Sequence, residues 1–180
     1  MFVALDLPGG PRAALARWRD ALVRDRNDLR PVPEDHLHVT LAFLGWQHES
    51  ASEAIAAAAF GAVDGLRRPR LTPTEIRSVP PRRPRLFALD LFDEGGGAGA
   101  IQAAVAGALE RERVYEPERR PFWPHVTLAR AKRAERRVAP LEAGPPGLGA
   151  IEPAELTLYR STLRPQGALY EPLGSTALPA

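Results

Sequence analysis

The sequence has no cysteine, which excludes disulfides, thiolate metal sites and a cysteine nucleophile. It contains no run long enough to cross a bilayer: the longest weakly polar stretch, residues 54–63, is alanine-rich and far too short. The opening residues 2–7 read as a strand, without the basic segment and apolar centre of a signal peptide. These absences predict a soluble, cytoplasmic protein. A phosphate-binding loop is missing too, because the glycine stretch at 95–99 lacks the Gly-Lys-Ser/Thr ending and reads as a helix-entry loop. Lysine is almost absent, Lys132 being the one lysine among 24 basic residues, and no nucleotidyl-transferase lysine motif occurs. The arginine excess accompanies alanine and proline richness, so composition explains more of it than function does. With a net charge of only +2, no global field steers a partner. An apolar fraction of 44% with 26% charged residues is that of a globular chain, and 180 residues fit one compact domain or two small lobes sharing a core.

What is present is a tetrapeptide that occurs twice, His38-Val39-Thr40-Leu41 and His125-Val126-Thr127-Leu128. A β-branched run of this kind is a strand, and alternation puts His38 with Thr40 on one face and His125 with Thr127 on one face. Two such strands side by side would gather two imidazoles and two hydroxyls around one small volume. The remaining elements follow from pattern. Pro11, Leu15, Trp18 and Leu22 mark a helix ending near Arg26, followed by an extended segment at 30–34. The first histidine strand runs to Gly45, and Ser50-x-x-Glu53 has the form of a capping box for a second helix bearing Ile55, Ala59 and Val63. Strands at 75–79 and 86–92 flank a proline–arginine turn at 80–85. A third helix carries Ile101, Val105 and Leu109. The second histidine strand follows, then an exposed loop at 132–150 and closing strands at 155–163 and 168–173.

The chain also repeats itself. Residues 2–7 match 86–91 at an offset of 84, while Arg24-Asp-Arg and the first histidine motif find their second copies at an offset of 87. Ile76-Arg-Ser-Val is similar to Tyr159-Arg-Ser-Thr, and Leu86-Phe87 to Leu169-Tyr170, both at an offset of 83. Common order and near-constant spacing predict duplication of a supersecondary unit: two interleaved repeats, roughly 2–80 and 86–163, each placing its histidine strand at a shared cleft. Two groups that titrate near neutrality suit acid–base work, one giving a proton and the other taking one. In-line displacement at phosphorus needs a base for the nucleophile and an acid for the leaving oxygen on opposite sides. The threonine hydroxyls can donate to the non-bridging oxygens.

At these residues the chain resembles the 2H phosphoesterase superfamily, and within it the bacterial and archaeal RNA 2′,3′-cyclic phosphodiesterases, historically called 2′-5′ RNA ligases. The resemblance covers nearly the whole sequence: Phe2-Val-Ala-Leu-Asp-Leu-Pro, Arg30-Pro-Val-Pro, Leu37 to Gly45, Arg83-Pro-Arg-Leu, Pro124 to Arg130, and the ending Tyr159-Arg-Ser-Thr-Leu with Leu169-Tyr170. It implies an α+β, bilobed fold, a pseudo-twofold duplication with two antiparallel sheets lining a central cleft and helices outside. It implies metal-independent hydrolysis of RNA or nucleotide 2′,3′-cyclic phosphates to 2′-phosphate ends by a monomer without a cofactor. By carry-over His38 is the proton donor, His125 the proton acceptor, and Thr40 and Thr127 bind the phosphate. Arg130 is a candidate for the same contact, although simple alternation puts it opposite His125 and Thr127 unless the strand bulges.

The clusters Arg82-Arg83-Arg85, Arg119-Arg120 and Arg130-Lys132-Arg133 could line an RNA path at the cleft mouth, and Phe122 and Trp123 could stack on a base. Two other readings stand beside this one. His36-x-His38 with His125 has the ligand set of a three-histidine zinc site. The same cleft could also serve an RNA- or nucleotide-binding module, or a 2′-5′ RNA ligase, with little hydrolytic turnover.

Overall fold

The computed structural model describes residues 1–164 and 167–180. Among these residues the chain forms eight strands and three α-helices: β1 (Phe2–Asp6), α1 (Gly9–Val23), β2 (Leu29–Pro31), β3 (His38–Phe43), α2 (Ser52–Gly61), β4 (Arg70–Val79), β5 (Leu86–Glu94), α3 (Gly97–Arg111), β6 (His125–Ala131), β7 (Glu155–Arg164) and β8 (Gly167–Ala177). The α+β expectation holds. Among the described residues all strand pairs are antiparallel, and no helix is long and apolar enough to cross a membrane.

The expectation of two sheets is corrected. The strands form one sheet in the order β4-β5-β6-β3-β1-β7-β8, with β2 added beside β6. Its two halves meet at the narrowest possible seam, the single pair Val39↔Val126. Both valines are fully buried, and their β-branched side chains suit that packed seam. They are also the same residue of the two tetrapeptides.

On either side of the seam the register is alike. In the β1–β3 pair, Ala4 faces Thr40, Leu5 faces Val39 and Asp6 faces His38. In the β5–β6 pair, Ala88 faces Thr127, Leu89 faces Val126 and Asp90 faces His125. Each pair then slips by one residue, at Leu41 in β3 and at Leu128 in β6. The matches at an offset of 83 do not share this register: Ile76 pairs with Leu89, whereas Tyr159 pairs with Phe2. Leu169 and Tyr170 lie on β8, paired with β7, rather than on a partner of a histidine strand.

Apolar residues alternating with the site residues, among them Leu5, Val39, Leu89 and Val126, join Leu15 of α1, Ile55 of α2 and Ile101, Val105 and Leu109 of α3 in one core. Three local expectations change. The capping box is not used: a 3-10 turn (Glu49–Ala51) precedes α2, and Ser50 instead donates its backbone N–H to the His48 ring. Strand β4 begins at Arg70, five residues before the pattern predicted, because Pro73 is tolerated on an edge strand at a register slip. The long loop is anchored: Val138 and Leu141 are buried with Phe87 and Leu29 in a second cluster.

Candidate active site

His38 and Thr40 project from β3, and His125 and Thr127 from β6, into one cavity of about 630 Å³. Because Val39 and Val126 face each other across antiparallel strands, extending the register by one residue sets His38 across from Thr127 and Thr40 across from His125. The four side chains therefore form a crossed square, each histidine diagonal to the other.

The bulges complete the site. An extra residue inverts the alternation of a strand beyond it. Leu128 and Ala129 are consecutively buried, and Arg130 emerges on the face of His125 and Thr127, where it lines the same cavity. The obstacle that alternation raised for Arg130 is thus removed by the bulge. The corresponding slip in β3 brings Phe43 to the cavity, 61% exposed. A cation and an aromatic ring occupy equivalent places.

Each imidazole is oriented by the backbone two residues earlier. The Nδ1 of His125 lies 2.7 Å from the Trp123 carbonyl oxygen. A carbonyl can only accept, so Nδ1 carries the hydrogen and Nε2 keeps the lone pair in the neutral ring. His38 makes the same kind of bond to the His36 backbone, and its Nε2 lies 3.1 Å from Thr40 Oγ1. Burial is the main reason that both rings hold a proton less readily than free histidine. His38 is lowered to about 4, with the charges of His36, His125 and Arg130 adding to the effect. His125 is lowered too, but it is less deeply buried and the Asp90 carboxylate, absent beside His38, opposes the effect.

The surroundings differ. Trp123 lies flat on His125, with ring centroids 4.0 Å apart and planes at 17°. Its Nε1 donates to Asp90 Oδ1, Asp90 Oδ2 pairs with Arg77 at 2.6 Å, and Arg77 sits over the indole at 5.8 Å. His38 instead stacks on Phe2 at 5.0 Å, with Tyr170 edge-on at 5.7 Å. Asp6, the counterpart of Asp90, accepts from Thr157 at 2.6 Å and from Tyr159 at 2.9 Å. Burial raises its pKa above that of a free aspartate.

Several sequence expectations resolve here. Trp123 stacks on His125 and lines the cavity, and Phe122 packs partly against the core while bordering the same cavity. His36 is not on the strand. It closes a 3-10 turn (Glu34–His36) and stacks on Tyr170 at 4.1 Å. Among the described residues no group of three or more histidine, aspartate or glutamate side chains is arranged to hold a metal ion. The supporting pair Asp90 and Arg77 went unnoticed in the sequence. Its signal was there: both copies of Ala-Leu-Asp-Leu carry an aspartate where a histidine strand passes.

The 2′-5′ RNA ligase superfamily matches residues 7–162. The chain belongs to that superfamily. Among its relatives, the RNA 2′,3′-cyclic phosphodiesterase of Aeropyrum pernix is 32% identical over 170 residues, covering 88% of this chain and 92% of that protein. The one from Thermus thermophilus is 34% identical, covering 99% and 89%. The crystal structure of Escherichia coli LigT complexed with 3′-AMP superposes with a TM-score of 0.75 at 30% identity, covering 98% of this chain and 96% of the other. With superfamily membership established, the duplicated His-x-Thr pair is the feature of this chain that its chemistry must be read from.

Proposed function

We propose that this member of the 2′-5′ RNA ligase superfamily hydrolyses the 2′,3′-cyclic phosphate of an RNA end or nucleotide to a 2′-phosphomonoester and a free 3′-hydroxyl. The observation that carries this reading is the convergence of His38, Thr40, His125, Thr127 and Arg130 on one cavity, in a chain whose curated relatives bear that enzyme's name. Water attacks phosphorus while His125 Nε2 takes its proton. The bond from phosphorus to O3′ breaks, and protonated His38 delivers its Nε2 proton to that oxygen. His38 ends neutral and His125 protonated, and proton exchange with solvent resets the pair. The fixed Nδ1–H of His125 and the nearby Asp90 carboxylate suit it to the accepting role. A His38 whose proton is weakly held is a strong donor once the anionic substrate restores that proton. Thr40 and Thr127 donate to the non-bridging oxygens, and Arg130 balances their charge.

The matched registers on either side of the Val39–Val126 seam support an origin by duplication, one chain with two lobes around the cleft. The reaction is tested by incubating the protein with 2′,3′-cyclic nucleotides and oligoribonucleotides and identifying which hydroxyl retains phosphate. A 2′-phosphate product is expected. A 3′-phosphate product, or no turnover, overturns the proposal.

A further inference from the structure

The active cavity explains the reacting nucleotide but leaves the rest of an RNA chain without a path. A cyclic phosphate terminates a strand, so every other phosphate of an oligonucleotide lies to its 5′ side. Arginine clusters are the obvious partners, and the structure separates those that are committed from those that are not. Arg85 spends its guanidinium on the long loop, with Nη1 donating to the Glu135 carbonyl at 2.5 Å and Nη2 to the Lys132 carbonyl at 3.1 Å. Arg120 is paired with Glu118, Arg77 with Asp90, and Arg70 with Glu94 and Glu152.

Among the described residues Arg119 and Arg133 are exposed without an ion pair, as are Arg82, Arg83 and Arg137, and it is the last three that stand together. All three are exposed and, with Val138, line a second cavity of about 280 Å³. Among the described residues none of them makes an ion pair or side-chain hydrogen bond. They come together because Arg85 fastens the loop against the turn between β4 and β5, while the burial of Val138 fixes the residue next to Arg137. The two cavities share no lining residue, and the turn that carries Arg82 and Arg83 links them along the chain. The turn at 80–85 springs from Val79 and returns at Leu86, and both residues line the active cavity. Leu86 is paired with Arg130. The active cavity is also lined by Glu110 and by Glu118, the latter neutralised by Arg120. A polyanion leaving the cleft along this turn meets guanidinium groups that no carboxylate has taken.

We infer that Arg82, Arg83 and Arg137 form a phosphate-binding subsite for the nucleotides 5′ to the reacting one, making single-stranded oligoribonucleotides preferred over mononucleotides. This rests on the reading of the main cavity as a cyclic phosphodiesterase site. The test compares the wild type with the triple variant R82A/R83A/R137A and with R70A, a surface arginine spent on carboxylates, as control. Two readouts are used. One is turnover of a short oligoribonucleotide ending in a cyclic phosphate beside that of a 2′,3′-cyclic mononucleotide. The other is salt-dependent binding of a fluorescein-labelled oligoribonucleotide with a 2′-phosphate end, which needs no catalysis.

The triple variant should raise KM for the oligonucleotide about tenfold with kcat retained, and leave the mononucleotide constants as they were. The slope of log affinity against log salt should fall by about 2, since single strands release roughly 0.7 counterion for each phosphate neutralised. R70A should change neither. Unchanged oligonucleotide affinity and salt slope in the triple variant would overturn the subsite, as would an equal loss toward duplex DNA. If the wild type turns over neither cyclic substrate while the binding difference persists, the proposed reaction fails and the subsite stands.

Discussion

The two halves of the site share a backbone and differ in what surrounds it. On each side a strand of the form His-x-Thr faces a strand of the form Ala-Leu-Asp, slips at the next leucine, and turns a following side chain into the cavity. On the His125 side that side chain is Arg130, and the imidazole lies on an indole held by Asp90 and Arg77. On the His38 side it is Phe43, and the imidazole is packed among Phe2, Tyr159 and Tyr170. The backbone fixes where the two imidazoles stand. Their neighbours make one half charged and the other aromatic, which on the proposed reading gives an asymmetric substrate one orientation in a symmetric frame.

The comparison is broken most severely at the imidazoles. His38→Ala and His125→Ala should each lower kcat/KM by about 10³-fold, within the range attributed to a general acid or base, with circular dichroism unchanged. A variant within tenfold of wild type would show that the halves are not both in use. Next comes the charge that only one half carries. Arg130→Ala should cost about 10- to 100-fold in kcat/KM, as expected for losing a charge-assisted contact worth roughly 1.5–3 kcal/mol. Arg130 also helps to hold both histidine pKa values down, so its removal should move the pH optimum of the residual activity upward. Loss of activity with a downward or unchanged optimum would leave Arg130 outside the electrostatics of the pair.

The parts legible in the sequence were those encoded by short-range pattern. The identity of His-Val-Thr-Leu at two places announced the strands, their inward faces and their shared cleft. The match of residues 2–7 to 86–91 announced the neighbouring strands. What escaped was set by pairing between distant segments. Alternation alone put Arg130 on the wrong face, because a bulge at Leu128 is a property of the β5–β6 register and leaves no local mark. The joining of two sheets into one depended on a single pair, Val39↔Val126. The matches at an offset of 83 lost their register, because Ile76 pairs with Leu89 and Tyr159 with Phe2, which do not correspond at the offset of 84. Likewise nothing local shows that the Trp123 ring nitrogen donates to Asp90, 33 residues away.

That contact gives a smaller prediction. Asp90→Asn should lower kcat about tenfold, through loosening of Trp123 beneath His125, with KM for a cyclic mononucleotide little changed. The Asp90 carboxylate raises the affinity of His125 for its proton, so its neutralisation should shift the acid limb of kcat/KM to lower pH. Trp123→Phe keeps the stack and loses the indole donor, and should reproduce the fall in kcat with less movement of the limb. A simple loss of stability, with the pH profile unmoved, would reduce Asp90 to a structural residue.

The least effect to be measured concerns stability, and it separates the halves by burial alone. The unfolded chain binds a proton at each histidine near the ordinary value of 6.5, whereas folded His38 waits until about 4. Between those values the unfolded state holds more protons, so stability is complete above 6.5 and drains away as pH falls toward 4. At roughly 1.4 kcal/mol for each unit, reduced for the part of the ring that meets solvent, His38 accounts for about 2 kcal/mol of that loss. His125 is lowered less and should contribute less. Urea titrations across this range should therefore show His38→Gln flattening the acid decline more than His125→Gln does. Equal slopes in the two variants would mean that the aromatic packing around His38 does not desolvate it more than Trp123 desolvates His125.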